Sequence, residues 1–154
     1  MDSTAEVMAM VDKHELWVRK QEGGAKANLS GMDLRDIDLS GRRLEHAILV
    51  GTNLCSARLN GTLLSRANLI DADLSGAQLK GAHLLWANLV KANLTNADLT
   101  GANLFSVNLT SANLTNADLT GVCLQYANLI GAVTVGANTT GADLKEVKGL
   151  GLNA

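Results

Sequence analysis

The sequence predicts a solenoid, a chain that turns at a fixed short interval and stacks its turns into a rod. Two observations carry that prediction. Leu recurs every five residues from Leu29 to Leu144, filling 22 of the 24 positions in the series, with Thr134 and Thr139 the exceptions. The composition agrees: of 154 residues, 27 are Leu and 21 are Ala, none is Pro, and there are one Phe, one Tyr and two Trp. An ordinary globular core fills its volume with aromatic side chains, which this chain lacks. Disorder is excluded as well, because 47% of the residues are hydrophobic and the net charge is only −2. A period of five fits neither the ~3.6 of a helix nor the ~2 of a strand continued straight, so the chain must turn at every repeat.

Two residues before each Leu lies a column of small residues, from Ala27 to Ala142, with Ala at 17 of its 24 positions. Between the two columns sits a polar one: Asn28, Asp33, Asp38, and later Asn68, Asp73, Asn88 and Asn93. The resulting motif, Ala-(Asn/Asp)-Leu-x-x, is seen undisturbed at residues 112–116 and 117–121. Over about residues 27–146 it resembles the pentapeptide-repeat family. The resemblance implies an all-β solenoid, a right-handed quadrilateral β-helix with four repeats per coil, with Leu and the small residue pointing inward. Twenty-four repeats then give about six coils, and at ~4.8 Å per coil the rod is roughly 29 Å long.

Each segment has its own expected part. Residues 1–26 read as a helix and linker that cap the solenoid, 27–146 as the β-helix, and 147–154 as a C-terminal tail. The cap helix is expected over 3–22, with Ser3 and Glu6 as a capping box and Met8, Val11, Leu16 and Val18 as its apolar surface. Gly23 and Gly24 are expected to stop it. Such a cap covers strand edges and core that the first coil leaves raw.

Within the solenoid, Gly41, Gly61, Gly81, Gly101, Gly121 and Gly141 recur every 20 residues, as corners of a four-sided coil should. They stand two places after the Leu column on the third face, where a type II turn needs positive φ. The second face has Asp36, Ser56, Gly76, Asn96, Asn116 and Gly136 there, also permissive. The fourth face has His46, Arg66, Trp86, Ser106, Tyr126 and Glu146, with no Gly or Asn, which predicts a different turn without positive φ. Leu29, Leu49, Leu69, Leu89, Leu109 and Leu129 are expected to stack as structural core, and Asn68, Asn88, Asn108 and Asn128 as an amide ladder. Arg42 stands in the small-residue column, where a charge does not fit a narrow apolar bore, so a distorted first coil is expected. Thr52 and Thr62 depart from that column more mildly. At the far end Thr134 and Thr139 replace Leu and no cap is evident. Either the tail folds over the core or two chains meet there as a homodimer through the C-terminal coil.

Little in the chain suggests catalysis. His14, His46 and His83 are dispersed, so no metal site is expected. Asp98 and Asp118 stack at the spacing of a hydrolase pair, but both belong to the repeat's polar column. No catalytic residue and no cofactor is nominated, and the chain is not expected to be an enzyme. Cys55 and Cys123 fall on different faces several coils apart and should be free thiols. Columns of Thr (Thr95 and Thr115; Thr100, Thr120 and Thr140) are spaced like rungs for a regular surface such as ice, but they are short.

One feature exceeds the repeat. Trp86, Phe105 and Tyr126 all project from the fourth face, with Leu63, Leu85 and Cys123 outward on the same face. Clustered exposed aromatics mark an interaction surface, here for an unidentified protein partner. The competing explanation is that bulky residues simply fit where the corner is not a type II turn. The leading reading is therefore a non-catalytic interaction or scaffold module. The resemblance also implies an alternative, a DNA-mimicking binder of DNA gyrase that confers fluoroquinolone resistance. Residues 27–146 carry ten acidic against eight basic side chains, a poor imitation of duplex charge. Direct nucleic-acid binding is not expected either. No apolar run reaches the ~18 residues of a membrane span and the acidic start MDSTAE is no leader, so a cytoplasmic address without a membrane is expected.

Overall fold

The five-residue period becomes a corner at every repeat. The structure, a computed structural model, describes residues 4–150. At each corner the N–H three residues beyond a Leu bonds back to that Leu's carbonyl, as from Ala47 to Leu44 at 3.0 Å. The polar residue ahead of the Leu pairs with its counterpart 20 residues on. Twenty-one such parallel bridges run from Asn28–Ile48 to Asn128–Lys148, so one coil is 20 residues in constant register. The rung at Ile48 illustrates the pattern: Leu29 N–H donates to the Ile48 carbonyl at 2.7 Å, and Ile48 N–H donates to that of Ala27 at 3.1 Å. The architecture is a right-handed quadrilateral β-helix.

The fourth corner is not different. His46, Arg66, Trp86, Ser106, Tyr126 and Glu146 have φ of 63°, 59°, 54°, 53°, 59° and 58°, and all 24 corners share positive φ. The expectation of a separate turn is therefore overturned. The reason lies in the stacking, because every corner closes its own turn and, through the first five coils, also aims its N–H at the next coil. Trp86 N–H donates to the Phe105 carbonyl and His46 N–H to that of Ser65, both at 3.0 Å. A corner of another type would break register with those above and below it, so side-chain preference yields to the ladder.

Burial follows the columns. Leu29, Leu49, Leu69, Leu89, Leu109 and Leu129 are at most 1% exposed, with Ala against them. Thr52 and Thr62 fit the bore because their hydroxyls donate to the Leu29 and Leu39 carbonyls at 2.8 Å. Asn68, Asn88, Asn108 and Asn128 do not form the expected ladder. Each side-chain oxygen accepts the N–H two residues on along its own coil, at 3.1 to 3.2 Å. The local bond wins because the backbone rung already sets the spacing between coils.

The cap is helix α1, Thr4–Val18, which buries Val7, Val11 and His14. Val11 was expected there, Met8, Leu16 and Val18 are half-buried, and Val7 and His14 were not foreseen. Ser3 lies outside the described residues. The helix ends at Val18, before the glycine pair, and is closed by Lys20, whose φ is 56°. Gln21 N–H reaches the Leu16 carbonyl at 2.9 Å and Lys20 N–H that of Trp17 at 3.0 Å, a Schellman closure. Gly24 serves a different need, because a Cβ there would lie 2.3 Å from the Trp17 nitrogen.

Arg42 corrects another expectation. The first coil is regular around it, with Arg42 N–H to the Leu39 carbonyl at 3.1 Å and Leu63 N–H to the Arg42 carbonyl at 2.9 Å. The first coil has no coil beneath it, so the side chain leaves the bore and meets α1. Its Nε donates to Glu15 at 2.7 Å and its Nη2 to Asp12. At the opposite end Lys148 adds one more rung to the first face. Beyond it Gly149 crosses Ile130 so closely that a Cβ would sit 2.5 Å from the Ile130 Cα. Ile130, Val133 and Val135 there remain 54%, 43% and 50% exposed. Among the described residues no helix is long and apolar enough to cross a membrane.

Candidate functional site

The 20-residue register places side chains of equal rank one above another, and on the fourth face this assembles a ladder. Trp86 and Tyr126 occupy corners two coils apart, and Phe105 comes from the coil between them. Phe105 meets Trp86 edge-on at 6.0 Å between ring centroids and Tyr126 at 5.4 Å. Both are the tilted geometry that aromatic pairs prefer. The ladder has a further rung that the sequence reading did not single out: the Arg66 guanidinium lies over the Trp86 ring at 5.1 Å. Its signal was the 20-residue spacing of Arg66 and Trp86 in one corner column. Trp86 and Tyr126 are about half exposed, whereas Leu63, Leu85, Phe105 and Cys123 are half-buried. Trp86, Phe105 and Tyr126 thus form one contacting row, with Leu63, Leu85 and Cys123 beside it on the same face.

The other sequence candidates are absorbed by the scaffold. Asp98 accepts the Thr100 N–H and hydroxyl, at 3.1 and 2.7 Å, and pairs with Lys80 at 3.2 Å. Burial pushes its carboxyl up, but the Thr100 and Lys80 bonds outweigh it and hold it below the usual range. A general acid needs the opposite shift. Asp118 accepts the Thr120 N–H at 2.9 Å, the Thr120 hydroxyl and the Asn138 amide at 3.4 Å, so its oxygens too are taken up by the scaffold. The Thr hydroxyls of the rung-like columns likewise turn back to Asn or Asp oxygens, as at Thr95, Thr115 and Thr140. Cys55 and Cys123 are free thiols. Among the described residues no group of His, Cys, Asp or Glu converges as metal ligands.

Under α1 a second cluster forms around His14, which is fully buried. Its Nδ1 accepts the Ala27 N–H at 3.0 Å, so the proton sits on Nε2, which donates to the Glu45 carbonyl at 3.0 Å. Burial pulls the imidazole below its ordinary value, against the raising influence of the Glu45 carbonyl and charge. Trp17 stacks on His14 at 5.4 Å and meets His46 edge-on at 6.3 Å. A groove of about 480 Å³ beside them is lined by Trp17, Val18, Lys20, Glu45 and His46. Glu15 feels the same junction: burial raises its carboxyl, but the Arg42 and Arg43 bonds lower it further.

Comparison with known proteins decides the family. The family model described as pentapeptide repeats (8 copies) matches residues 47–84 and 84–121. A crystal structure of the pentapeptide repeat protein Rfr23 from the cyanobacterium Cyanothece 51142 is 28% identical, covers 92% of this chain and 94% of its own, and has a TM-score of 0.60. The chain belongs to the pentapeptide-repeat family. This pentapeptide-repeat protein also resembles one from the Arabidopsis thaliana thylakoid lumen, at 31% identity over 76% of this chain and 68% of that one, TM-score 0.34. Full-length QnrB1, a plasmid-mediated fluoroquinolone resistance protein, is 15% identical over 80% of this chain and 91% of its own, TM-score 0.31. A search of curated proteins finds no match.

Proposed function

We propose that this pentapeptide-repeat protein is a non-catalytic interaction module whose fourth face binds a protein partner. The observation that carries the reading is the backbone under the aromatic row. Trp86 and Tyr126 hold φ of 54° and 59°, the left-handed region that costs an L-residue roughly 1–2 kcal/mol. The corner turn is the same on every face, so the geometry gives bulky residues no reason to collect on this one. Eleven other non-Gly corners bear the same cost, so what sets Trp86 and Tyr126 apart is that their half-exposed rings join Phe105 in one contacting row on a single face.

The test is affinity capture with the tagged chain beside its Trp86→Ala, Phe105→Ala, Tyr126→Ala variant, after circular dichroism shows that both fold. Retention of a protein at stoichiometric amounts by the wild type, and its loss by the variant, is the expected result. Equal retention by both would discard the face. A retained topoisomerase would put the DNA-mimic reading in its place. A homodimer through the last coil is supported by the exposed Val133 and Val135, and sedimentation velocity of Val133→Asp should show a smaller species than the wild type.

A further inference from the structure

The ladder's one cation identifies the chemistry of the partner. Five arginines lie in residues 27–146. Four of them are answered by carboxylates: Arg35 by Asp33 at 2.7 Å, Arg42 by Glu15 at 2.7 Å, Arg43 by Glu45 at 2.9 Å and Arg58 by Asp38 at 3.0 Å. Arg66 is exposed and pairs with no carboxylate among the described residues. Its guanidinium lies instead over the Trp86 ring, on an exposed side chain whose N–H groups can still be donated to a ligand.

The surroundings sharpen this. Between the second and fifth coils the outward positions of the fourth face are Leu63, His83, Asn103 and Cys123, then Ser65, Leu85, Phe105 and Gln125, then the corners. None is acidic. The acidic residues of this face sit at its ends: Glu45, already engaged by Arg43, and Asp143 and Glu146 in the last coil. The middle of the face is therefore an apolar row with an unanswered positive charge at one end.

We infer that the fourth face takes an extended peptide segment of another protein, with apolar side chains along Trp86, Phe105 and Tyr126 and a carboxylate on Arg66. This rests on the interaction reading above and adds the partner's chemistry. From Arg66 to Tyr126 is three coil steps, about 14 Å, the reach of roughly four extended residues. The peptide lies along the rod, across the coils, whose backbone groups are used in the rungs. Side chains rather than added strand pairing then supply recognition. An Arg fork on a carboxylate gives it direction.

The experiment pans a random peptide library on the full chain, with the Trp86/Phe105/Tyr126 triple alanine variant as counter-selection, and measures synthetic versions of the recovered peptides by fluorescence anisotropy. Recovered peptides should join Asp or Glu to aliphatic or aromatic residues. Arg66→Gln should weaken them about tenfold or more, Arg66→Lys less, and added salt should weaken wild-type binding alone. Peptides lost on the triple variant but without an acidic bias, or indifferent to Arg66→Gln, would overturn the carboxylate and leave the interaction face standing. Peptides that bind the triple variant equally, or no enrichment at all, would overturn both. A labelled oligothymidylate serves as a second probe, because cations and aromatics also stack single strands. Tight binding of it that Arg66→Gln abolishes would overturn the peptide in favour of nucleic acid.

Discussion

His14 is the latch of the cap, and removing it should undock α1 without melting the rod. Truncation by His14→Ala leaves the buried Ala27 N–H and the part-buried Glu45 carbonyl without their His14 partner. Each unsatisfied buried group costs about 1–3 kcal/mol, and the Trp17 stack is lost besides, so about 3 kcal/mol of docking is a fair magnitude. Solenoid ends open without the middle, because each coil touches only its neighbours. Amide exchange at Ala27, corrected for its intrinsic rate, should therefore accelerate by roughly 100-fold, while the amides of Leu89 and Leu109 keep their protection.

The same bond makes docking pH-dependent. Nδ1 accepts a hydrogen bond, so protonating it removes that bond and places a cation in the junction. Burial holds the folded imidazole below its ordinary value of 6.5. The undocked state thus binds the proton more readily. Docking stability is fully present above about pH 6.5 and falls as pH drops through the folded value. The charges facing the ring are Glu45 and Glu15, which favour its protonation, and Lys26, which opposes it. Glu15, held low by its arginine bonds, stays ionised in the window from about pH 7.5 to 5. His46, edge-on to Trp17, is controlled by repeating the series in His46→Asn. Exchange at Ala27 that is equally slow at both ends of that window, or a pH dependence that survives in His14→Ala, would refute the reasoning.

Other perturbations follow from the same contacts. Arg42→Ala removes the half-buried tie to Glu15 and the exposed one to Asp12 and should loosen α1 by about 1–2 kcal/mol, read as loss of helical signal in mild urea. Below about pH 4.5 the wild type should approach that variant, because Glu15 is held low when docked and its contribution fades on protonation. Leu89→Ala, in the sealed middle, should cost about 2–5 kcal/mol in chemical denaturation, and Leu144→Ala, half-buried in the last coil, roughly half of that. Gly81→Ala should cost about 1 kcal/mol through φ alone, because nothing lies within 4 Å of the new Cβ.

Most of the rod was legible because its physics is periodic. A Leu every five residues and a Gly every 20 leave one arrangement in which all the Leu side chains meet, and the register follows without any long-range guess. The departures share one cause, which is that a repeat describes the interior of a stack and not its ends or its exceptions. Arg42 looked foreign to the bore because the rule assumes a coil on either side. In the first coil one side is α1, and Asp12 and Glu15 wait there. His14 carried no periodic signal at all. Its role exists only once Ala27 and Glu45 are brought together around it from distant parts of the chain.

The fourth corner shows how a mistaken step can still sharpen a functional argument. Residue preference argued that His, Arg, Trp, Tyr and Glu would not accept positive φ, and preference is a real term of about 1–2 kcal/mol per site. The ladder overrides it because each corner N–H of the first five coils has a partner on the next coil, and losing that bond would cost a comparable amount and the register besides. Geometry therefore imposes the same turn on all faces and gives bulky residues no refuge on one. Trp86→Gly and Tyr126→Gly separate the two contributions. Relief of φ should stabilise each variant by about 1 kcal/mol, offset by about 0.5–1.5 kcal/mol for each ring pair lost with Phe105. Thermal denaturation should thus show each close to wild type or slightly more stable, while peptide binding on the fourth face is lost. A large destabilisation of both would mean that the row holds the rod together, and the functional explanation for its placement would fall.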